Sequence, residues 1–406
     1  MAARHRVESV SIKSFRSIPS QTVRLPSPTL LVGANGSGKS NFVDVFAFLA
    51  EAAAQPLQAV FDRRGGISAV RHRRPKETER TVGIGVDLSN LEASEIEGGI
   101  ESAHYAFEVR EVGDLEVELV REQCVINLSR GRRFWFDRQE QTLRTNVEWL
   151  NEVRGRWFSP ASLAISALGS ISPFRSLSTA LNGMKVYAIE PEAMSGMRDA
   201  DSGVALRSSG SNAASVLAEI KRRAPRDYSR IAEILLAVTA GIDEVRPSRH
   251  GKQAGLEFVQ RWGNQNELVF DAFNMSNGTL KALGLLLALY QRTRPTLIAI
   301  EEPEASLHPG AVNTILDVLR YAAAEMNVIV TTHSPEVLDA EWLTDENIRF
   351  VTWAEGISTI ADLAESSRSS IRKHLMGAGE LLRSNSLEPS ALFLDTRNID
   401  LFVGTE

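Results

Sequence analysis

The chain has 406 residues, 43% of them apolar and 24% charged, with a formal net charge of −6. This is the composition of a globular protein with a sizeable core; it excludes a disordered chain and argues against a protein whose whole surface binds nucleic acid. Its one cysteine, Cys124, excludes an intrachain disulfide and a thiolate zinc cluster, and a reducing cytoplasm is expected.

In chain order, residues 7–12 alternate as a strand, and a second short strand at 22–25 is expected after a turn at Pro19. The N-terminus lacks the apolar stretch of a signal peptide. Residues 29–32 form a short apolar strand ending at Gly33. Next comes Gly33-Ala34-Asn35-Gly36-Ser37-Gly38-Lys39-Ser40, the pattern G-x-x-x-x-G-K-[ST]. Phe42, Val45, Phe46 and Leu49 then repeat at i, i+3, i+4, i+7, the stripe of a helix. An apolar strand before and an amphipathic helix after make this a phosphate loop. Backbone N–H groups of Asn35, Gly36, Ser37 and Gly38, with the helix dipole, should cradle phosphate oxygens. Lys39 should reach the β- and γ-phosphates of ATP, and Ser40 should offer its hydroxyl to Mg2+.

Residues 63–76 carry Arg63, Arg64, Arg71, Arg73, Arg74 and Lys76 with no acid among them. A second basic group is Lys221, Arg222, Arg223 and Arg226. Either group is a solvated face or a contact for DNA phosphates. From 81 to 136, short alternating segments imply an antiparallel β layer. Stretches at 159–180 and 213–237 read as mostly helical, with a strand at 184–189 between them. No sustained heptads and no span of about 20 apolar residues occur, so neither a long coiled coil nor a membrane helix is expected.

From 276 onward α/β alternation returns: a helix at 278–291, a buried strand at 296–300, a helix with Val312, Ile315, Leu319 and Ala322 on one stripe, and strands at 328–331 and 348–351. A mainly parallel sheet is implied. Glu301-Glu302 ends the 296–300 strand, at the edge where α/β sheets bind ligands. Glu301 is placed to hold Mg2+ through water, and Glu302 to orient or deprotonate the attacking water.

Three further phrases select among phosphate-loop families. They are Met275-Ser276-Asn277-Gly278-Thr279-Leu280-Lys281, Glu301-Glu302-Pro303-Glu304-Ala305-Ser306-Leu307-His308-Pro309, and Thr331-Thr332-His333-Ser334-Pro335. In this order they resemble the signature, D-loop and His switch of ABC-type ATPases. Ile12-Lys13-Ser14-Phe15-Arg16-Ser17, just before the phosphate loop, is similar to the RecF/SMC/OLD branch. The signature departs from the LSGGQ form of transporters, and Asn277 stands where aspartate or glycine is more usual.

The resemblance implies an ABC-type ATPase head of α/β class. It would comprise one lobe at 1–80, a β-rich and helical insertion at 81–270, and a second lobe at 271–406. It implies that Ser276, Asn277 and Gly278 face the γ-phosphate on a second subunit, that Ser306 touches that subunit, and that His333 contacts the γ-phosphate in cis. Arg16 is expected at the nucleotide phosphates, and Gln55 or Gln58 is the candidate for the glutamine loop. Two heads would close on two ATP·Mg2+. The expected partners are a second copy, DNA, or a separate effector such as a nuclease. Too few residues follow Trp353 for the TOPRIM nuclease domain of many relatives. A scaffold gated by nucleotide with little turnover, or a transporter subunit, are the competing readings.

Overall fold

The computed structural model describes residues 6–72, 80–91, 99–113, 116–129, 131–152, 158–239, 241–262, 266–390 and 399–405. Six strands form the central sheet, in the order Ile357–Ala361, Ile348–Ala354, Thr29–Val32, Asn327–Thr332, Leu297–Glu301, Met184–Tyr187. All neighbours are parallel except the hairpin at 348–361. Alternation along the strands sorts side chains to two faces. Leu31, Leu297, Ala299 and Ile329 face one core; Leu30, Val32, Ile298, Ile300, Val328 and Val330 face the other.

The helix Lys39–Ala54 covers the first face, burying Phe42, Val45, Phe46, Phe48 and Leu49. A seven-stranded antiparallel sheet closes over its far side, in the order 18–24, 6–15, 81–91, 100–112, 116–128, 133–139, 142–145. Phe48 joins the layers, its ring 5.4 Å from Phe15 and 5.1 Å from Phe61. The expected division at residue 80 therefore passes between hydrogen-bonded strands of one sheet, since 6–15 pairs with 81–91. The second face of the central sheet is covered by helices Ala213–Arg223, Pro225–Val238, Asn277–Tyr290 and Pro309–Ala322. Among the described residues, no helix is long and apolar enough to cross a membrane.

One local expectation is corrected. The first turn lies at Arg16-Ser17, because Phe15 pairs with Ile18 and Arg16 takes φ 50°. Pro19 sits inside the edge strand, where its missing N–H leaves no ladder bond unmade. The segment 244–271 adds a small sheet in which Glu244–His250 and Asn266–Asp271 flank Gln253–Trp262.

A charge network ties that sheet together. Glu244 accepts from Arg246 and Arg261, which also meet Glu267. The hydrogen bond from Arg246, then that from Arg261, hold the Glu244 carboxyl down at about 2, against an ordinary 4.5. A depressed pKa stabilises the fold above the unfolded value and loses that effect as pH falls through the folded one. Glu244→Gln should thus lower the unfolding free energy read from urea titration at pH 7, by less than about 1 kcal/mol for so accessible a network. The gap to wild type should close as pH falls from 4.5 to about 2. An equal gap at both ends of that range would show that the charge does not contribute.

Candidate functional site

The phosphate loop is shaped by contacts that admit only small residues. A Cβ on Gly33 would lie 2.2 Å from the Val351 carbonyl oxygen, and one on Gly38 would lie 2.1 Å from Ser358 Oγ. Gly38 also takes φ 104°, in the left-handed region. Ser358 Oγ donates to the Ser37 carbonyl at 2.7 Å. It also meets Ser17 Oγ at 2.7 Å, and Ser17 Oγ accepts from Asn41 Nδ2 at 2.8 Å. The hairpins at 6–24 and 348–361 thereby brace the loop. Ala34, Asn35 and Gly36 form its exposed rim. The helix starts at Lys39, so its first N–H groups have no intrahelical acceptor and suit an anion.

Lys39 is only 6% exposed. Its Nζ donates to the carbonyls of Gly33 at 2.7 Å and Ala34 at 3.0 Å. Burial lowers its pKa, and the charges of Glu302, Glu304 and Glu301 oppose that. Ser40 Oγ donates directly to Glu301 Oε2, joining two motifs 261 residues apart. His333 Nδ1 lies 3.2 Å from Glu302 Oε1. Glu302 has φ 44°, a conformation that a residue with a side chain holds only where its surroundings impose it. Here its N–H donates to the Thr331 carbonyl at 3.0 Å.

The signature opens a helix as expected. Ser276 caps Asn277–Tyr290, accepting from Thr279 N at 3.1 Å. Asn277 Nδ2 reaches Glu192 at 3.3 Å. A Cβ on Gly278 would lie 2.5 Å from the carbonyl oxygen of Ser306, so the signature and the D-loop of one head touch. Ser306 is exposed and has φ 68°. Among the described residues, no hydrogen bond joins Ser276, Asn277 or Gly278 to the phosphate loop.

Other candidates fall elsewhere. Arg16 is ion-paired with Asp44 at 2.6 Å, on the phosphate helix one turn past Ser40. Gln55 is an exposed residue at that helix's C-terminus, and Gln58 accepts from Val117 N at 3.1 Å. Neither makes a hydrogen bond to Ser40 or Glu301 among the described residues. The chain that emerges beside Glu301 is Ala188-Ile189-Glu190, because Tyr187 pairs with Ile300 on the parallel edge strand. A cleft of about 490 Å3 opens next to it, bordered by Ser40, Glu301, Asp44, Arg64 and Lys185.

Part of each basic run is ion-paired. Arg63 and Arg64 both pair with Glu51, while Arg222 and Arg223 pair with Glu219. Arg73, Arg74 and Lys76 lie outside the described residues.

Sequence reasoning missed two buried charges behind the acid pair. Lys281, on the signature helix and 7% exposed, donates to the Ile189 carbonyl at 3.2 Å. Its pKa is lowered by burial and supported by Glu304, Glu302 and Glu301. Glu304 accepts from Thr332 Oγ1 at 2.6 Å. Their place in the motif phrases was the only available signal.

Ser40 and Glu301 supply a hydroxyl and a carboxylate, a donor set that suits Mg2+ when phosphates and water complete the shell. Among the described residues, no group of three His, Cys, Asp or Glu could hold a metal alone.

A family model described as "AAA domain, putative AbiEii toxin, Type IV TA system" matches residues 29–339. No curated protein matches the chain. Among solved structures, it is similar to an SMC head bound to the C-terminal winged-helix domain of ScpA. That match has 16% identity and TM-score 0.54, and covers 89% of this chain and 98% of that one. It is also similar to an SMC head with an extended coiled coil, bound to the C-terminal domain of ScpA, from Pyrococcus furiosus. There the identity is 14% and the TM-score 0.50, with 91% of this chain and 99% of that one covered. Likeness at this identity speaks for the fold, which is the expected ABC-type head of the RecF/SMC-like branch. With more than half of its length matched, the chain belongs to the AAA-domain family described as putative AbiEii toxin of type IV toxin–antitoxin systems.

Proposed function

We propose that the chain hydrolyses ATP to ADP and phosphate, with two heads closing on ATP·Mg2+ and opening after hydrolysis. The observation that carries this reading is the convergence of Ser40 on Glu301 and of His333 on Glu302 at the carboxyl edge of one sheet. In the proposed cycle, Lys39 exchanges the carbonyls of Gly33 and Ala34 for the β- and γ-phosphates. Ser40 and Glu301 would hold Mg2+, which would offset phosphate charge. Glu302 accepts the proton of the attacking water, and His333 donates to a γ-phosphate oxygen. A scaffold that binds nucleotide without turnover leaves the Glu302–His333 pair without a task.

The signature supports the second half of the proposal. Gly278 meets its own D-loop, and among the described residues neither Ser276 nor Gly278 makes a hydrogen bond to its own phosphate loop. A helix N-terminus attracts an anion only at close range. Ser276, Asn277 and Gly278 therefore act on ATP held by a second copy, the subunit that Ser306 touches. Ser276→Arg should spare nucleotide binding and destroy turnover. Mixed with Lys39→Ala protein, it should regain some activity, since one site of the mixed dimer is intact. ATPase rate per subunit should rise with protein concentration, and Glu302→Gln with ATP should have the mass of a dimer. A rate independent of concentration from a strict monomer would rule out the shared site.

The output of such a cycle is opening and closing, which controls a separately encoded effector or DNA in defence or DNA maintenance. The toxin–antitoxin description of the family supports a defence setting. The net charge of −6 and the pairing of Arg63 and Arg64 with Glu51 favour a protein effector over DNA.

A further inference from the structure

Glu304, two residues past the acid pair, has no part in the cycle above. Its Oε1 accepts from Thr332 Oγ1 at 2.6 Å. Its Oε2 is buried and has no hydrogen-bond partner among the described residues. Burial raises its pKa; the Thr332 bond works against this, and the charge of Glu302 adds to it. A carboxyl kept in so unfavourable a place calls for a reason beyond packing.

That reason lies on the neighbouring strand. Thr332 is fully buried at the end of Asn327–Thr332. Its hydroxyl is used in both directions: it donates to Glu304 and accepts from Ser334 N at 2.9 Å. Thr332 and Ser334 are the two residues flanking His333, whose ring meets Glu302. Thr331, one residue earlier, holds Glu302 through its own carbonyl and hydroxyl. The end of this strand thus sets both members of the Glu302–His333 pair. A valine would keep the shape of threonine at this buried position but would break the chain of bonds.

We propose that Glu304 is a positioning residue for ATP hydrolysis: through the Thr332 hydroxyl it fixes the backbone on both sides of His333 and so sets the imidazole against Glu302. This rests on the assignment of Glu302 and His333 to the reaction. Glu304 itself touches neither water nor phosphate in this role.

The test measures steady-state ATP turnover and ATP·Mg2+ binding by the full chain carrying Thr332→Val, Glu304→Ala, both, or Thr332→Ser. Each of the first two should lower kcat about 10- to 100-fold, the worth of a hydrogen bond to a charged group. The KM for ATP should stay within about twofold, since ground-state binding is untouched. The double variant should be no slower than the slower single one, because both break the same chain. Thr332→Ser keeps the hydroxyl and should restore turnover. Wild-type turnover in Thr332→Val, additive losses, or Thr332→Ser as slow as Thr332→Val would each overturn the proposal. The Thr332 pair decides even if Glu304→Ala does not fold. Glu302→Gln and His333→Ala run alongside: wild-type turnover in these would overturn the catalytic assignment itself.

Discussion

Glu302→Gln should bind ATP as tightly as the wild type and lose turnover by about 10²- to 10⁴-fold, the span over which a general base contributes. The substitution keeps size and hydrogen bonding but removes the group that takes the proton from water. Glu302 is poised for that task by its setting. Its backbone is held at φ 44° by two bonds to Thr331, and its carboxylate meets His333 at 3.2 Å. A glutamine there still occupies the loop, so the fold and the phosphate cradle remain. The measurement pairs steady-state phosphate release with equilibrium binding of ATP. Release at the wild-type rate would remove Glu302 from the chemistry. Loss of both binding and release would mark it as structural.

Lys39→Ala acts one step earlier and should abolish ATP binding. An ammonium meeting phosphate oxygens in a buried loop makes charge-assisted bonds worth about 1.5–3 kcal/mol each, and several are lost together. The lysine is already inside the loop before nucleotide arrives, bonded to the Gly33 and Ala34 carbonyls. Burial lowers its pKa, so incoming phosphate restores favourable charge to a group the fold has desolvated. Calorimetric titration with ATP·Mg2+ should show no heat of binding at concentrations that saturate the wild type. Unchanged melting of the variant without nucleotide separates this from misfolding. Saturable binding of ordinary affinity would place the phosphates elsewhere.

These two residues were legible because their chemistry is local. The phosphate loop needs eight consecutive residues, a strand before and a helix after, and the sequence shows all three. The acid pair was legible because a buried five-residue strand can deliver its last residues only to the edge of a sheet. The turn at Arg16-Ser17 was misplaced to Pro19, because proline marks turns but is equally tolerated on an edge strand. Whether a strand is an edge is a property of the sheet. The same limit left the glutamine loop open, since Gln55 and Gln58 read equally as helix-surface residues. Gln58 is taken up by Val117, and the position beside Glu301 belongs to the chain leaving Met184–Tyr187.

By itself the sequence determined the class of the fold, the phosphate-binding chemistry, and the order of motifs along the chain. Each follows from residue types at short, fixed spacing, where backbone geometry leaves few choices. Tertiary structure alone decided which distant groups meet. It set Ser40 on Glu301, spent Arg63 and Arg64 on Glu51, and sent Arg16 to Asp44. It also set Glu304 against a threonine 28 residues away and left its buried second oxygen without a donor among the described residues. Such pairings depend on which faces of strands and helices are buried together. No local spacing encodes that, because burying one apolar face carries every polar neighbour of that face to wherever the layers close.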